Sequence, residues 1–167
     1  MDQREERLEV PRELHQLRIQ GAFTYQGDGR FTDERGFFEE MQLYSLVDSG
    51  GSGSSGGSRG RCGTVSVVQS GFAVSHKNVL RGMHCSPYGK FVVCLAGEMW
   101  DAIVDLRPES PTYLVWDYVL LSPERKTRVF VPPGVGHGYL ALQDATMTLY
   151  LKLGLYDKSL EIEVNSL

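Results

Sequence analysis

Five side chains of this sequence could together move protons beside a carbonyl group: His84, Lys90, Asp101, His137 and Tyr150. His84 ends the apolar segment Asn78-Val-Leu-Arg-Gly-Met-His84, next to Arg81 and Gly82. An imidazole titrates near neutral pH, so it can serve as a base without an extreme environment. Lys90 offers a compact positive charge suited to an enolate oxygen, and Arg81 a planar fork suited to phosphate. Tyr150 lies in Thr-Leu-Tyr-Leu-Lys, a segment with strand periodicity. Its phenol could protonate a carbanion from the face opposite the base, which inversion of a stereocentre requires. His137 follows Pro132-Pro133-Gly134 and lies between two glycines, which allow close approach of backbone to a ligand. Asp101 opens the run Asp-Ala-Ile-Val-Asp. Facing inward, it would need a partner, and a histidine is a natural one.

Other chemistries find little support. A metal held by a small β-barrel would call for histidines at i, i+2 with a nearby carboxylate, but Cys85 and Ser86 follow His84. With four histidines in all, no metal is expected. The glycine-rich fingerprints of nucleotide cofactors are missing, as is the Gly-x-Ser-x-Gly elbow of many hydrolases, so no cofactor is expected. The net charge of −4 and the lack of a basic stripe argue against nucleic acid, although an anionic small ligand needs only a few local cations. No apolar run is long enough to span a membrane, and the charged N-terminus does not resemble a secretory signal, so a cytoplasmic location is expected. Cys62, Cys85 and Cys94 lack metal-ligand spacing and read as reduced thiols.

These groups must be positioned by a β-rich scaffold. A length of 167 residues suits one domain. Residues 1–18 read as an N-terminal extension, weakly amphipathic and interrupted by Pro11. The glycine- and serine-rich stretch 49–60 cannot bury enough apolar surface to order itself and reads as a flexible loop within the domain 19–167. Strands are predicted at Ile19–Tyr25, Val65–Gln69, Val79–Met83, Phe91–Leu95, Met99–Leu106, Tyr113–Leu121, Lys126–Val131, Gly138–Leu142 and Thr146–Leu153, and within Phe31–Met41. Many short strands without intervening helices predict an all-β sandwich or barrel.

Ordered along the chain, these motifs resemble the dTDP-4-dehydrorhamnose 3,5-epimerase family. The matching pieces are Phe31-Thr-Asp-Glu-Arg-Gly-Phe-Phe-Glu-Glu40, Gln69, Val79-Leu-Arg-Gly-Met-His84, Gly89-Lys90, Ala96–Arg107, Ser110-Pro-Thr112, Val131–Gly138, Tyr150, Tyr156 and Glu161. The resemblance implies an all-β cupin jelly roll with minor helical segments, no metal, and a nucleotide-diphosphate sugar as substrate. It implies His84 as base, Tyr150 as acid, Lys90 at the enolate, and Asp101 with His137 as a supporting pair. It also implies a homodimer in which Phe31–Glu40 crosses to the partner's site, so that Phe31, Arg35 and Glu40 help hold the partner's nucleotide. Gln69, Arg81, Tyr156 and Glu161 match further substrate-contacting positions. Gly71 and Ala73 stand where members usually carry Asn and Ser. The family's Trp-Asn-Asp-like segment, whose aspartate orients the histidine, has no match after Glu161, which predicts a less firmly oriented base.

Two readings stand beside epimerisation at both C3 and C5. One is inversion of a single centre, or action on a GDP-linked keto-heptose, since Ser75–His84 also resembles heptose epimerases. The other is a non-catalytic cupin that binds a nucleotide sugar. Tyr150 and Lys90 favour catalysis, because a binding module needs neither an acid nor an enolate partner.

Overall fold

The computed structural model describes residues 15–26, 30–41 and 66–163. Most of the N-terminal extension, the loop at 49–60, Cys62 and Asn165 lie outside the described residues. Within them the secondary structure is all β, with no helix. The strands are β1 (His15–Gln16), β2 (Phe23–Gln26), β3 (Arg30–Asp33), β4 (Gly36–Glu39), β5 (Gln69–Ser75), β6 (Leu80–Cys85) and β7 (Lys90–Ala96). They continue with β8 (Met99–Asp105), β9 (Trp116–Leu121), β10 (Thr127–Val131), β11 (Val135–Ala141), β12 (Thr146–Lys152) and β13 (Ile162–Glu163).

One sheet runs β1-β2-β10-β7-β12-β5 and the second β13-β6-β11-β8-β9, each with antiparallel pairings. Alternation decides which side chains face between them. Along β8, Met99, Asp101, Ile103 and Asp105 are buried while the intervening residues are partly exposed. Val92, Cys94, Val129 and Val131 from the first sheet join Met99, Ile103, Leu121, Val135 and Tyr139 from the second in one core. Burying each such side chain is worth roughly 1.5–3 kcal/mol, so this shared core holds the two sheets face to face. Tyr25, Phe91 and Phe130 form a smaller aromatic cluster. The two facing antiparallel sheets form the cupin-type jelly-roll sandwich.

Several strand boundaries differ from expectation. The strand predicted at Val65–Gln69 lies instead at Gln69–Ser75. Its outward residues include Phe72 and Val74, while Gly71 and Ala73 are less exposed, so its apolar residues mark the solvent side and mislead. Strand β2 starts only at Phe23, because Ile19–Ala22 closes a turn through Gly21 at φ 80°. Strand β9 starts only at Trp116, after Leu114 at φ 63°.

Candidate active site

The cleft between the sheets brings four of the five proton-handling candidates into one network and carries the fifth on the same wall. His84 and His137 are direct partners in the β6–β11 ladder, so their side chains leave the same face of the second sheet. A register shift follows between His137 and Tyr139. Gly82 makes this crossing possible. It has φ 121°, and a Cβ there would stand 2.6 Å from Gly138 Cα and 2.8 Å from the His137 carbonyl oxygen. Only glycine allows β6 to lie this close to β11.

Asp101 lies on β8, on the face shared with His137. His137 Nε2 and Asp101 Oδ2 are 2.7 Å apart, and both side chains are buried. Burial pushes the His137 pKa down, with Asp101 opposing and the positive charge of Lys90 adding to the depression. The other Asp101 oxygen, Oδ1, is buried and has no hydrogen-bond partner among the described residues. A substrate hydroxyl or a water in the cleft would satisfy it.

The facing wall comes from β7 and β12. Tyr150 meets the edge of the His137 ring, with centroids 6.1 Å apart and planes at 84°. Its pKa is pushed well above the ordinary phenol range, first by burial, then by Tyr139 and Asp101. Tyr150 therefore keeps its proton at neutral pH and is suited to give it up only to a strong base such as a carbanion. Lys90 is buried at 5% exposure. Burial lowers its pKa, Glu161 and Asp101 raise it, and Lys152 lowers it further. A desolvated cation of this kind stabilises developing negative charge strongly.

The rim holds the expected substrate-contacting residues. Arg81 Nε donates to Ser75 Oγ at 2.9 Å, and its Nη2 to the Val74 carbonyl at 3.3 Å. Gln69 Oε1 accepts from the Tyr156 backbone N–H at 2.9 Å. Lys152 Nζ lies 4.8 Å from the centroid of the half-exposed Tyr156 ring. Glu161 accepts from Ser86 Oγ at 3.0 Å and from the Tyr88 hydroxyl at 2.9 Å. Burial and that bond push the Tyr88 pKa up to about 12. Tyr139, Ser75 and Lys152 also belong to this cleft but were not singled out from the sequence. The available signal was spacing: Tyr139 and Lys152 lie two residues beyond His137 and Tyr150, hence on the same faces.

Phe31, Arg35 and Glu40 are placed elsewhere. They belong to the β3–β4 hairpin, a separate two-stranded sheet. Arg35 pairs with Asp33 inside the hairpin's own turn, and Glu40 is exposed just past β4. The hairpin is tied to its own chain by Arg30, which donates to Glu39 Oε2 at 3.0 Å and to the Pro123 carbonyl at 2.9 Å. Arg128 Nη2 also donates to Glu39 Oε1, at 2.5 Å. Among the described residues, no group of three or more His, Cys, Asp or Glu is arranged to hold a metal ion. Nor is any helix long and apolar enough to cross a membrane. A surface hollow lined by Leu17, Asp117, Tyr118 and Arg125 shares none of the cleft residues.

The dTDP-4-dehydrorhamnose 3,5-epimerase family profile matches residues 16–167. The chain belongs to this family. It is 38% identical over 135 residues to the dTDP-4-dehydrorhamnose 3,5-epimerase of Salmonella typhimurium, spanning 78% of this chain and 68% of that one. The Methanothermobacter thermautotrophicus enzyme of the same name is 37% identical over 75% of this chain and 64% of its own length. Among solved structures, a 4-keto-6-deoxy sugar epimerase from the novobiocin cluster of Streptomyces spheroides superposes with TM-score 0.78 and 27% identity, over 94% of this chain and 75% of that one. A Legionella pneumophila 3,5-epimerase solved with dTDP-4-keto-L-rhamnose gives TM-score 0.76 and 29% identity, over 93% and 78%. Family membership makes this chain an epimerase-type isomerase by class.

Proposed function

We propose that this protein epimerises a dTDP-linked 4-keto-6-deoxy hexose at C3, C5 or both, through an enolate. The observation that supports the reading is that the exposed His84 on β6 is the ladder partner of His137, whose buried ring is met edge-on by the Tyr150 phenol from β12 of the facing sheet. The 4-keto group acidifies the neighbouring C–H bonds. His84 removes the proton on its side, and Lys90 holds the enolate oxygen. Tyr150 delivers a proton to the opposite side, which inverts the centre. His137 and Asp101 support the ring from below, with Asp101 Oδ1 free to accept a sugar hydroxyl. Arg81, Gln69, Tyr156 and Glu161 line the rim, where the rest of the nucleotide sugar would lie.

The hairpin fits a second role. Its Phe31 and Phe38 are exposed, which supports a homodimer in which Phe31, Arg35 and Glu40 complete the partner's site.

The test is proton exchange. In heavy water with dTDP-4-keto-6-deoxyglucose, the protein is expected to place deuterium at C5, C3 or both, and His84→Asn to abolish this. Undiminished exchange in His84→Asn removes the imidazole from the mechanism. A wild-type protein that catalyses no exchange overturns the reading. Counting the inverted centres separates double from single inversion, the latter being the activity of a 3′-monoepimerase from Streptomyces bikiniensis that superposes with TM-score 0.75 and 29% identity.

A further inference from the structure

His84 is exposed, and among the described residues its ring has no hydrogen-bond partner. A loose imidazole exchanges tautomers, and the hydrogen bond made by one ring nitrogen decides which nitrogen keeps its lone pair. Strand β13 supplies a neighbour. It consists of Ile162 and Glu163 alone, at the edge of the second sheet beside β6. Ile162 pairs with Cys85 and Glu163 with His84. Direct partners in an antiparallel ladder point to the same face, with Cβ atoms about 4.5–5.5 Å apart. On its other side His84 is the partner of His137. Three neighbouring strands thus set Glu163, His84 and His137 in one row. The segment before β13 is fastened. Glu161 accepts from Ser86 Oγ at 3.0 Å and from the Tyr88 hydroxyl at 2.9 Å, and both residues closely follow His84 in the chain. Those bonds hold β13 to the end of β6, and they occupy the Glu161 carboxylate. Asp101 Oδ2 is bonded to His137, and Asp101 lies two strands from β6, opposite Tyr139. Glu163 is the carboxylate beside His84, with no bond of its own among the described residues.

We infer that Glu163 is a positioning residue for His84, its carboxylate accepting the N–H of one ring nitrogen so that the lone pair of the other is turned to the cleft. The inference rests on the epimerase reading, in which that lone pair takes a proton from the carbon beside the keto group. The C–H bond breaks as the new N–H bond forms, its electron pair passes into the enolate, and the ring becomes an imidazolium. The new positive charge then lies between His137 and Glu163. A second imidazole does not favour that charge, whereas a carboxylate does, so Glu163 acts most strongly as the proton arrives. Glu163 keeps its negative charge throughout and takes no proton. The other charged or titratable groups around His84 are His137 and Asp101 on its own sheet, Lys90 and Tyr150 on the facing one, and Arg81 on its own strand. All of them stay in place when Glu163 alone is neutralised. Glu163 thereby supplies from β13 the orientation that the sequence left unassigned.

Two measurements on Glu163→Gln test this. NMR titration of the imidazoles, without substrate, follows His84 directly, since the chain has four histidines. The His84 pKa is expected to fall by about half a unit or more, because a nearby opposite charge favours the imidazolium. Glu163→Asp, which keeps the charge, should stay nearer to wild type. With dTDP-4-keto-6-deoxyglucose as substrate, kcat of Glu163→Gln should fall about ten- to hundredfold with KM little changed, as for a weakened general base. The acid limb of kcat/KM should move to lower pH, because the ring now holds its proton less firmly. An unmoved His84 pKa would overturn the inference whatever the rates do. A raised KM with an unmoved acid limb would also overturn it and mark Glu163 as a substrate contact. So would a fallen Tm with an unmoved His84 pKa, which would mark a packing role. If the wild type catalyses no exchange while the His84 pKa still shifts in Glu163→Gln, the epimerase reading fails and the Glu163–His84 contact is upheld.

Discussion

Lys90 and Lys152 are direct partners in the β7–β12 ladder, two lysines side by side on the wall of the cleft that bears Tyr150. The pairing raises the energy of the charged form of Lys90, and Lys152 is among the causes that depress its pKa. Lys152→Met should therefore move the Lys90 pKa up. In a pH profile of kcat/KM, the alkaline limb set by loss of the Lys90 charge should shift to higher pH. A limb that stays in place or moves down would show that Lys152 does not tune Lys90. Lys90→Met itself should cost about 10²–10³ in kcat, the usual effect of removing one preorganised charge at an oxyanion.

Gly82→Ala should be damaging out of proportion to one added methyl. The new Cβ would press on Gly138 Cα and the His137 carbonyl, and φ 121° strains any L side chain. Pushing β6 off β11 would part His84 from His137, which the ladder now holds side by side. A loss of about 2–4 kcal/mol in stability is expected, within the range for strained backbone plus overpacking. Activity should fall further than stability alone explains. Thermal melting and kcat measured on the same sample check both. Near-normal Tm and kcat would mean that the crossing is looser than its geometry indicates.

Stability should depend on pH through His137. Its folded pKa lies below the unfolded value of about 6.5, because burial disfavours the imidazolium more than Asp101 favours it. The unfolded state then binds more protons in the window just below that value, so stability is present above it and is lost as pH falls toward the folded pKa. Tm should drop between about pH 7 and 5, and the drop should shrink in His137→Gln. A Tm that rises on acidification would mean that the Asp101 charge dominates the pair.

Much of this was readable in the sequence where local pattern and tertiary role agree. The β-strand around Asp101 alternates so regularly that its span was readable, and the histidine partner followed from the cost of burying a lone carboxylate once Asp101 was taken to face inward, which the structure shows it does. Strand β12 was legible for the same reason. Strand β5 was not, because its apolar residues Phe72 and Val74 point outward and its cleft side carries Gly71 and Ala73. Strand β13 has two residues and exists through its pairing to β6, which no local pattern announces. That pairing sets Glu163 directly across from His84. Tyr139 and Lys152 share faces with His137 and Tyr150 through the same period of two, but a tyrosine or a lysine in a strand is ordinarily a core or surface residue, so the local pattern alone assigns them no role.

The β3–β4 hairpin carries the last prediction. Phe31 and Phe38 are ladder partners whose rings lie 6.4 Å apart, and they are 50% and 62% exposed. Phe37 is as exposed, although Arg30 lies over its ring at 4.1 Å. A hairpin with this much apolar surface has little reason to hold its shape alone. Glu39 fixes its base through Arg30 and the buried Arg128. An arm fixed at its base, with exposed phenylalanines along its strands and a charged turn at its tip, suits docking against a second copy of the chain. Phe31→Ser with Phe38→Ser should therefore shift sedimentation from dimer toward monomer, leave the Tm of the monomer little changed, and raise KM. KM should rise because Arg35 and Glu40 would no longer reach the partner's nucleotide. A variant that remains dimeric with unchanged KM would assign these phenylalanines no part in assembly or substrate binding.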